Sequence, residues 1–428
     1  MNNFNFEASR TYAQSLDHAD KLKKFRSEFY FPKDKNGYSC VYLCGNSLGL
    51  QPKITAQYLQ EELNDWAEYG VNGHKKAGRP WLTYHLQARD GFAELTGSKQ
   101  NEVIAMNTLT VNLHMMMATF FRPTKKRYKI LIESNAFPSD RFAVESQLRL
   151  HGFDPKEALV EWYPKNEELL LDDLEDIMRR EGDKIALMLI PGIQYYSGQV
   201  LPMKELCKIA KNAGCKIGLD LAHAIGNVEL ELHNWEPDFA AWCTYKYLNG
   251  GPGSVGGAFV HTKHLNSEGS KQLLGWWSTD LTTRFEMGAK FIPAKDVDLW
   301  QVSNPPVFSL TPVISSLHMF KRASFKKLRE KSIQLTSYLD FLLQNEYSGK
   351  IESITPLHNR GCQLSLVIQD ETLNGKNIFT SLSDKNVIGD WREPNVIRMA
   401  PAPLYNSFED VFEFIERLKE AVQENKVK

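Results

Sequence analysis

The chain lacks the extremes that sort proteins into easy classes. Only six cysteines occur in 428 residues, too few for the disulfide framework of a small secreted scaffold. Cys40 and Cys44 have no second Cys or His pair spaced to complete a zinc site, so no metal is expected and all six are read as reduced thiols. There is no charge excess either. Lys plus Arg (51) nearly cancel Asp plus Glu (52), a formal charge of −1, which leaves no electrostatic footprint for nucleic acid or an anionic membrane. No apolar run approaches the roughly 18 residues of a membrane span, and the leading MNNFNFEASRTYAQ has neither a basic n-region nor an apolar h-region. The expectation is a cytoplasmic protein whose partner is a small molecule, with no nucleic acid and no membrane.

What is present is a large apolar content, 42% of the chain, in a length that allows two or three folding units at roughly 150 residues each. Helical spacing covers Ala8 to Phe29, Pro52 to about Tyr69 and Trp81 to Thr96. The loop Gly45-Asn46-Ser47-Leu48-Gly49 and the polar stretch Gly70 to Pro80 separate these segments. From about Asn101 to Val260, short β-rich runs alternate with helical patterns as βαβ units do. The runs are Val103–Met106, Lys129–Ile132, Ala158–Trp162, Ile185–Leu189, Cys215–Leu219, Phe239–Cys243 and Gly257–Val260. The expected fold class is α/β, a mostly parallel sheet covered by helices. After Ser309 comes a long helical stretch, Pro312 to Asn345, then strands near Gln363–Ile368 and Val396–Ala400 and a helix from Ser407 to Gln423. The expected division is an N-terminal arm (1–50), a large α/β domain (51–308) and a small C-terminal α+β domain (309–428) packed with the arm.

In such sheets ligands bind beyond the carboxyl ends of the strands, so the residues just after each run matter most. Gly218-Leu219-Asp220-Leu221-Ala222-His223 delivers an Asp and a His to that edge. The next run delivers Tyr245-Lys246 and then a glycine-rich loop, Gly250 to Gly257. Desolvation favours the neutral amine that a Schiff base requires, and an Asp on the neighbouring strand suits the pyridine nitrogen of pyridoxal phosphate. A buried Lys–Asp ion pair without cofactor is the plainer alternative. Asn107-Thr108-Leu109-Thr110-Val111-Asn112 brings hydroxyls to the start of a helix, Leu113 to Phe121, where a phosphate could sit; a simple N-cap would read the same. Phe137 stands at the same edge and could stack on a flat ring or belong to the core.

The set Ala136-Phe137-Pro138-Ser139-Asp140, Asp220-Leu221-Ala222-His223-Ala224, Tyr245-Lys246-Tyr247-Leu248-Asn249 and Ser303-Asn304-Pro305-Pro306 resembles kynureninase, a pyridoxal-phosphate hydrolase with the aspartate-aminotransferase-like fold of type I. The resemblance runs from Gly45-Asn46-Ser47-Leu48-Gly49 to Arg398-Met399-Ala400-Pro401-Ala402-Pro403-Leu404-Tyr405-Asn406-Ser407. It implies Lys246 as the lysine that joins the cofactor, Asp220 at the pyridine nitrogen and Phe137 over the ring. Leu109, Thr110, Pro138, Ser139, Asp140, His223 and Tyr245 would complete the cofactor contacts, with Trp276 and Asn304 reaching in from the second subunit of a homodimer. Ser47, His74, Ser303, Asn304 and Arg398 would hold substrate, Arg398 by its α-carboxylate. Pro191 departs from the pattern, standing where some relatives carry a small hydroxyl residue.

The implied reaction is hydrolysis of L-kynurenine or its 3-hydroxy analogue to anthranilate or 3-hydroxyanthranilate and L-alanine, within tryptophan catabolism and NAD biosynthesis. The polar set His74, Ser303 and Asn304 favours the 3-hydroxy substrate, and Tyr245 is the expected proton donor. Two rivals compete. A cysteine desulfurase-like lyase would need a mobile reactive thiol, whereas Cys243 and Cys362 sit in strand-like contexts. A nucleotide-binding module would need a strand–loop–helix setting that the glycines after Lys246 lack.

Overall fold

The structure, a computed structural model, describes residues 4–265, 272–288 and 290–425. A seven-stranded sheet runs in the order Val103–Ala105, Gly257–Val260, Phe239–Trp242, Lys216–Asp220, Ile185–Pro191, Lys129–Glu133, Leu159–Trp162. Only Gly257–Val260 is antiparallel to its neighbours; the remaining pairings are parallel. All seven expected runs are strands. Their side chains alternate between two apolar cores: Ile130 and Ile132 enter one with the helices Leu109–Phe120 and Pro138–Leu150, while Leu131 enters the other with Leu171–Glu181 and Met203–Ala213. Burial on both faces is why these segments read as continuous apolar runs.

A second sheet, antiparallel, has the order Asp390–Arg392, Val396–Met399, Leu364–Ile368, Ile351–Ser353. Phe325–Tyr347, Gly375–Asp384 and Phe408–Glu424 cover it. The N-terminal segment joins this unit. Val41–Tyr42 pairs in parallel with Val387–Ile388, and the helix Arg10–Ala19 packs on Phe408–Glu424, Arg10 reaching Glu409 at 3.2 Å and Glu413 at 2.6 Å.

The helices differ from expectation in instructive ways. The stretch Pro312 to Asn345 is two helices, Val307–Ala323 and Phe325–Tyr347, broken at Ser324 with φ 68°. Leu310, Val313, Ile314 and Phe320 of the first pack into the large-sheet core, and Leu335, Leu339 and Leu342 of the second into the small-sheet core. Phe325 and Leu328, just past Ser324, still pack on the large-sheet core, so the change of partner falls between Leu328 and Leu335. The expected helix Ala8–Phe29 stops at Asp20, whose carboxylate accepts from Leu22 N at 2.8 Å and meets the buried Lys331 ammonium at 2.8 Å. Trp81–Thr96 is a 3₁₀ segment, Trp81–Ala88, followed by an α-helix, Arg89–Thr96. The helix expected at Leu113 begins at Leu109, which carries the hydroxyl-rich segment into its first turn. No described helix is long and apolar enough to cross a membrane.

Candidate active site

The carboxyl ends of the central strands lie level, because Pro191 pairs with Asp220 and Asp220 with Ala241. Beyond them opens a cavity of about 200 Å³ lined by Thr108, Leu109, Thr110, Glu133, Phe137, Ser139, Asp140, Pro191, Ile193, Tyr195, Asp220, Ala222, His223, Tyr245 and Lys246. Lys246 enters from the loop after Phe239–Trp242. That loop is held from the other side by Gly49, whose N–H donates to Tyr245 O at 2.8 Å. Gly49 must be glycine, since a Cβ there would collide with Lys246 O and Asn249.

Lys246 Nζ lies 2.9 Å from His223 Nε2. Burial, reinforced by the charges of Lys246, Arg398 and Arg392, keeps the His223 imidazole well below its usual range and therefore neutral. With the lysine as ammonium, Nε2 is the acceptor of this pair and the ring proton belongs on Nδ1. That Nδ1 is buried with no partner among the described residues. Asp220 Oδ1 accepts from Ala222 N at 2.6 Å. Asp140 hydrogen-bonds Asp220, and burial first, then Asp220, raises the Asp140 carboxyl well above the usual range. Glu133 is raised in the same way by burial and then by Asp220. Three carboxyls thus converge on one wall, and burial makes Asp140 and Glu133 hold their protons to higher pH than free acids do.

Two helix N-termini also meet at this cavity, and Asp140 belongs to the first turn of one of them. Thr110, in the first turn of Leu109–Phe120, is 2.7 Å from the hydroxyl of Ser139 at the start of Pro138–Leu150. The Thr108 side chain, at the N-cap position, makes no capping bond. Free N–H groups, aligned dipoles and three hydroxyls form a cradle for an anion. Phe137 is 43% exposed and meets Tyr195 edge-on at 5.2 Å between centroids. Burial raises the Tyr245 phenol above its usual range, so it stays a donor.

Of the expected residues, Leu109, Thr110, Phe137, Ser139, Asp140, Asp220, His223, Tyr245 and Lys246 come together here, as does Pro191, which brings no hydroxyl. Pro138 is exposed at the first helical position. Ser47 is half-buried in a turn closed on Cys44 O at 3.0 Å. His74 belongs to a short helix, Gly73–Lys76, rather than a loop, and packs edge-on against Trp81. Ser303 and Asn304 are exposed; Trp276 is 49% exposed and donates to Arg284 O at 3.0 Å. Arg398 is buried against Asp390 and Tyr195 O. None of these lines the cavity. Glu133, Ile193 and Tyr195 do, without having been anticipated. Ile193 and Tyr195 follow the strand Ile185–Pro191 directly, and that position was their signal.

A separate cluster, Glu102, His233 and His261, has metal-ligand spacing. Its atoms are already engaged: Glu102 accepts from Lys99 N and Thr262 N and meets His233 Nδ1 at 3.0 Å, while His261 accepts from Lys263 N and donates to His233 O. It ties loops together.

Comparison with known proteins bears on the whole chain. A family model described as the kynureninase C-terminal domain matches residues 328–418. A kynureninase of Myxococcus xanthus is 46% identical over 418 residues, covering 97% of this chain and 97% of the relative. The chain belongs to the kynureninase family. A kynureninase of Flavobacterium psychrophilum is 45% identical over 427 residues, covering 98% of this chain and all of the relative (100%). Among solved structures, a cysteine desulfurase of Escherichia coli superposes with a TM-score of 0.76 at 15% identity, covering 95% of this chain and 99% of its own. A C-DES mutant with glycine covalently linked to its PLP cofactor gives 0.75 at 18% identity, covering 92% and 98%. That likeness shows the fold, the helix-covered sheet of the type I pyridoxal-phosphate enzymes. It does not carry over the desulfurase chemistry. All six cysteines of this kynureninase-family chain are buried, and burial raises the thiols of both Cys243 and Cys362, the latter to about 11.

Proposed function

We propose that the chain uses pyridoxal 5′-phosphate to hydrolyse the Cβ–Cγ bond of L-kynurenine and 3-hydroxy-L-kynurenine, the 3-hydroxy form being preferred. The observation that carries this reading is Lys246 paired with a neutral His223 beside Asp220, facing an anion cradle, in one cavity. The residues fit the cofactor: Thr108, Thr110 and Ser139 would take its phosphate, Asp220 its pyridine nitrogen and Phe137 its ring face. His223, whose Nδ1 is buried without a partner among the described residues, lines the same wall. Bound there, pyridoxal phosphate supplies an electron sink for charge developing on the substrate carbons.

The chain's own groups do the rest. Lys246 Nζ takes the substrate α-proton and returns it. Arg398, whose Nη groups are engaged and whose Nε is unpaired among the described residues, would take the α-carboxylate. Water adds to the aryl ketone, the Cβ–Cγ bond breaks, and the Tyr245 hydroxyl donates a proton to Cβ, releasing alanine and an aryl carboxylate. Leu109, Pro138 and Asp140 complete the cofactor wall, and Ser47 and His74 the substrate side. Ser303, Asn304 and Trp276 are exposed on this chain, which supports their serving the site of a second subunit in a homodimer. Six buried free thiols suit a reducing, cytoplasmic setting.

A site built to bond a ring hydroxyl leaves its own polar groups unpaired when the hydroxyl is missing, so 3-hydroxykynurenine should win by about tenfold. Purified protein with added pyridoxal phosphate is assayed on both substrates, alongside the His74→Phe, Asn304→Thr double variant. Hydrolysis of both, with a preference that collapses in the double variant, supports the proposal. No aryl carboxylate released from either substrate would refute it, and an unmoved ratio would refute the specificity.

A further inference from the structure

Asp390 and Arg398 stand opposite each other on antiparallel strands, a carboxylate set against a guanidinium that is 1% exposed. Asp390 Oδ2 accepts from Arg398 Nη2 and from Arg392 Nη2, the latter at 3.1 Å. One carboxylate therefore serves two guanidinium groups, and the trio keeps one net positive charge. Arg398 Nη1 donates to Tyr195 O at 2.7 Å, and Tyr195 lines the cavity beside Lys246. The Nε atoms of both arginines are buried without a partner among the described residues. An unbalanced cation with unpaired buried donors is costly until an anion arrives. The charges of both arginines are also felt at His223, inside the cavity.

The geometry points to Arg392 as a positioning residue that sets affinity for the substrate carboxylate, acting through Asp390 on Arg398. This rests on Arg398 holding that carboxylate. Without Arg392, Asp390 alone would cancel the Arg398 charge and the clamp would be electrically neutral. With Arg392, Asp390 is already balanced, and Arg398 keeps a charge to offer. The Arg392 side chain is 34% exposed, so solvent screens part of its effect, and a change of roughly tenfold in carboxylate affinity is expected rather than a larger one.

The test measures inhibition of the holoenzyme by 4-(2-aminophenyl)-4-oxobutanoate and by its primary amide. Both keep the aryl ketone and lack the amine that would react with the cofactor; only the acid carries the charge. Arg392→Gln should weaken the acid roughly tenfold and leave the amide within about twofold. Adding Asp390→Asn to Arg392→Gln restores the net charge of one and should restore acid binding. Arg392→Lys, which keeps the charge at this half-exposed position, should behave as wild type. An unchanged acid-to-amide ratio in Arg392→Gln, or no recovery in the double variant, overturns the inference. The underlying assignment is checked separately with Arg398→Gln. If that variant weakens acid and amide equally, Arg398 is not the carboxylate clamp; if it discriminates between them while Arg392→Gln does not, only the role of Arg392 falls.

Discussion

Replacing Glu133 by Gln should stabilise the cofactor-free protein, increasingly so as pH rises. Glu133 ends the strand Lys129–Glu133 and is buried in the cavity wall. Burial, then the nearby Asp220, raises its carboxyl well above the usual range. Folding therefore binds the proton more tightly than the unfolded chain does. The sign follows: the favourable contribution is complete below the unfolded value of about 4.3 and is lost as pH climbs from there through the folded value. Over that window the slope is about 1.4 kcal/mol per pH unit. Gln keeps the shape, stays neutral throughout and removes the slope. At about 2.1 cal/mol/K of unfolding entropy per residue, that slope is about 1.5 °C in Tm per pH unit for a chain of this length. Thermal unfolding of both proteins between pH 5 and pH 8 reads it. The Tm of Glu133→Gln should pull ahead of wild type as pH rises. A difference that stays flat, or one that shrinks with pH, would refute the upward shift of the folded Glu133 carboxyl.

Three further outcomes are expected. Asp220→Asn should fold and bind cofactor yet lose at least about a hundredfold in turnover, because an amide cannot keep a pyridine nitrogen protonated; a wild-type rate from such a variant excludes Asp220 from that role. Mixing inactive Lys246→Ala with inactive Asn304→Ala protein should recover activity if the two residues serve one site from different subunits, and verified heterodimers that stay inactive would exclude sharing. Ser324→Val should cost about 1–2 kcal/mol, because a β-branched side chain resists the positive φ between the two long helices, and denaturant unfolding would show it as a lower midpoint.

The large sheet was legible because both its faces are buried, so each strand is an apolar run bounded by turns. The small sheet was only half legible. Ile351–Ser353 and Asp390–Arg392 are three residues each, and three residues cannot display a period. The break at Ser324 has no Gly or Pro to announce it. In the site, Lys246, Asp220 and His223 stood out because charged or polar groups ending apolar strands invite a chemical reason. Glu133 ends a strand too, but an acid beside Ser134 and Asn135 reads as the start of a solvated turn, and only the fold shows it buried. Tyr195 was hidden for the opposite reason: aromatic residues pack everywhere, and its distinction lies in touching Phe137 on one side and supporting Arg398 through its backbone on the other. Trp276, Ser303 and Asn304 were named only through family likeness, and all three are exposed on this chain.

Lys246 is the proposed point of attachment of the cofactor. Protein loaded with pyridoxal phosphate, reduced with borohydride and digested, should yield one pyridoxyl-labelled peptide, the one containing Tyr245-Lys246-Tyr247, and Lys246→Ala should yield none. Label on a different lysine, or an equal label in the Ala variant, would contradict the account at its root.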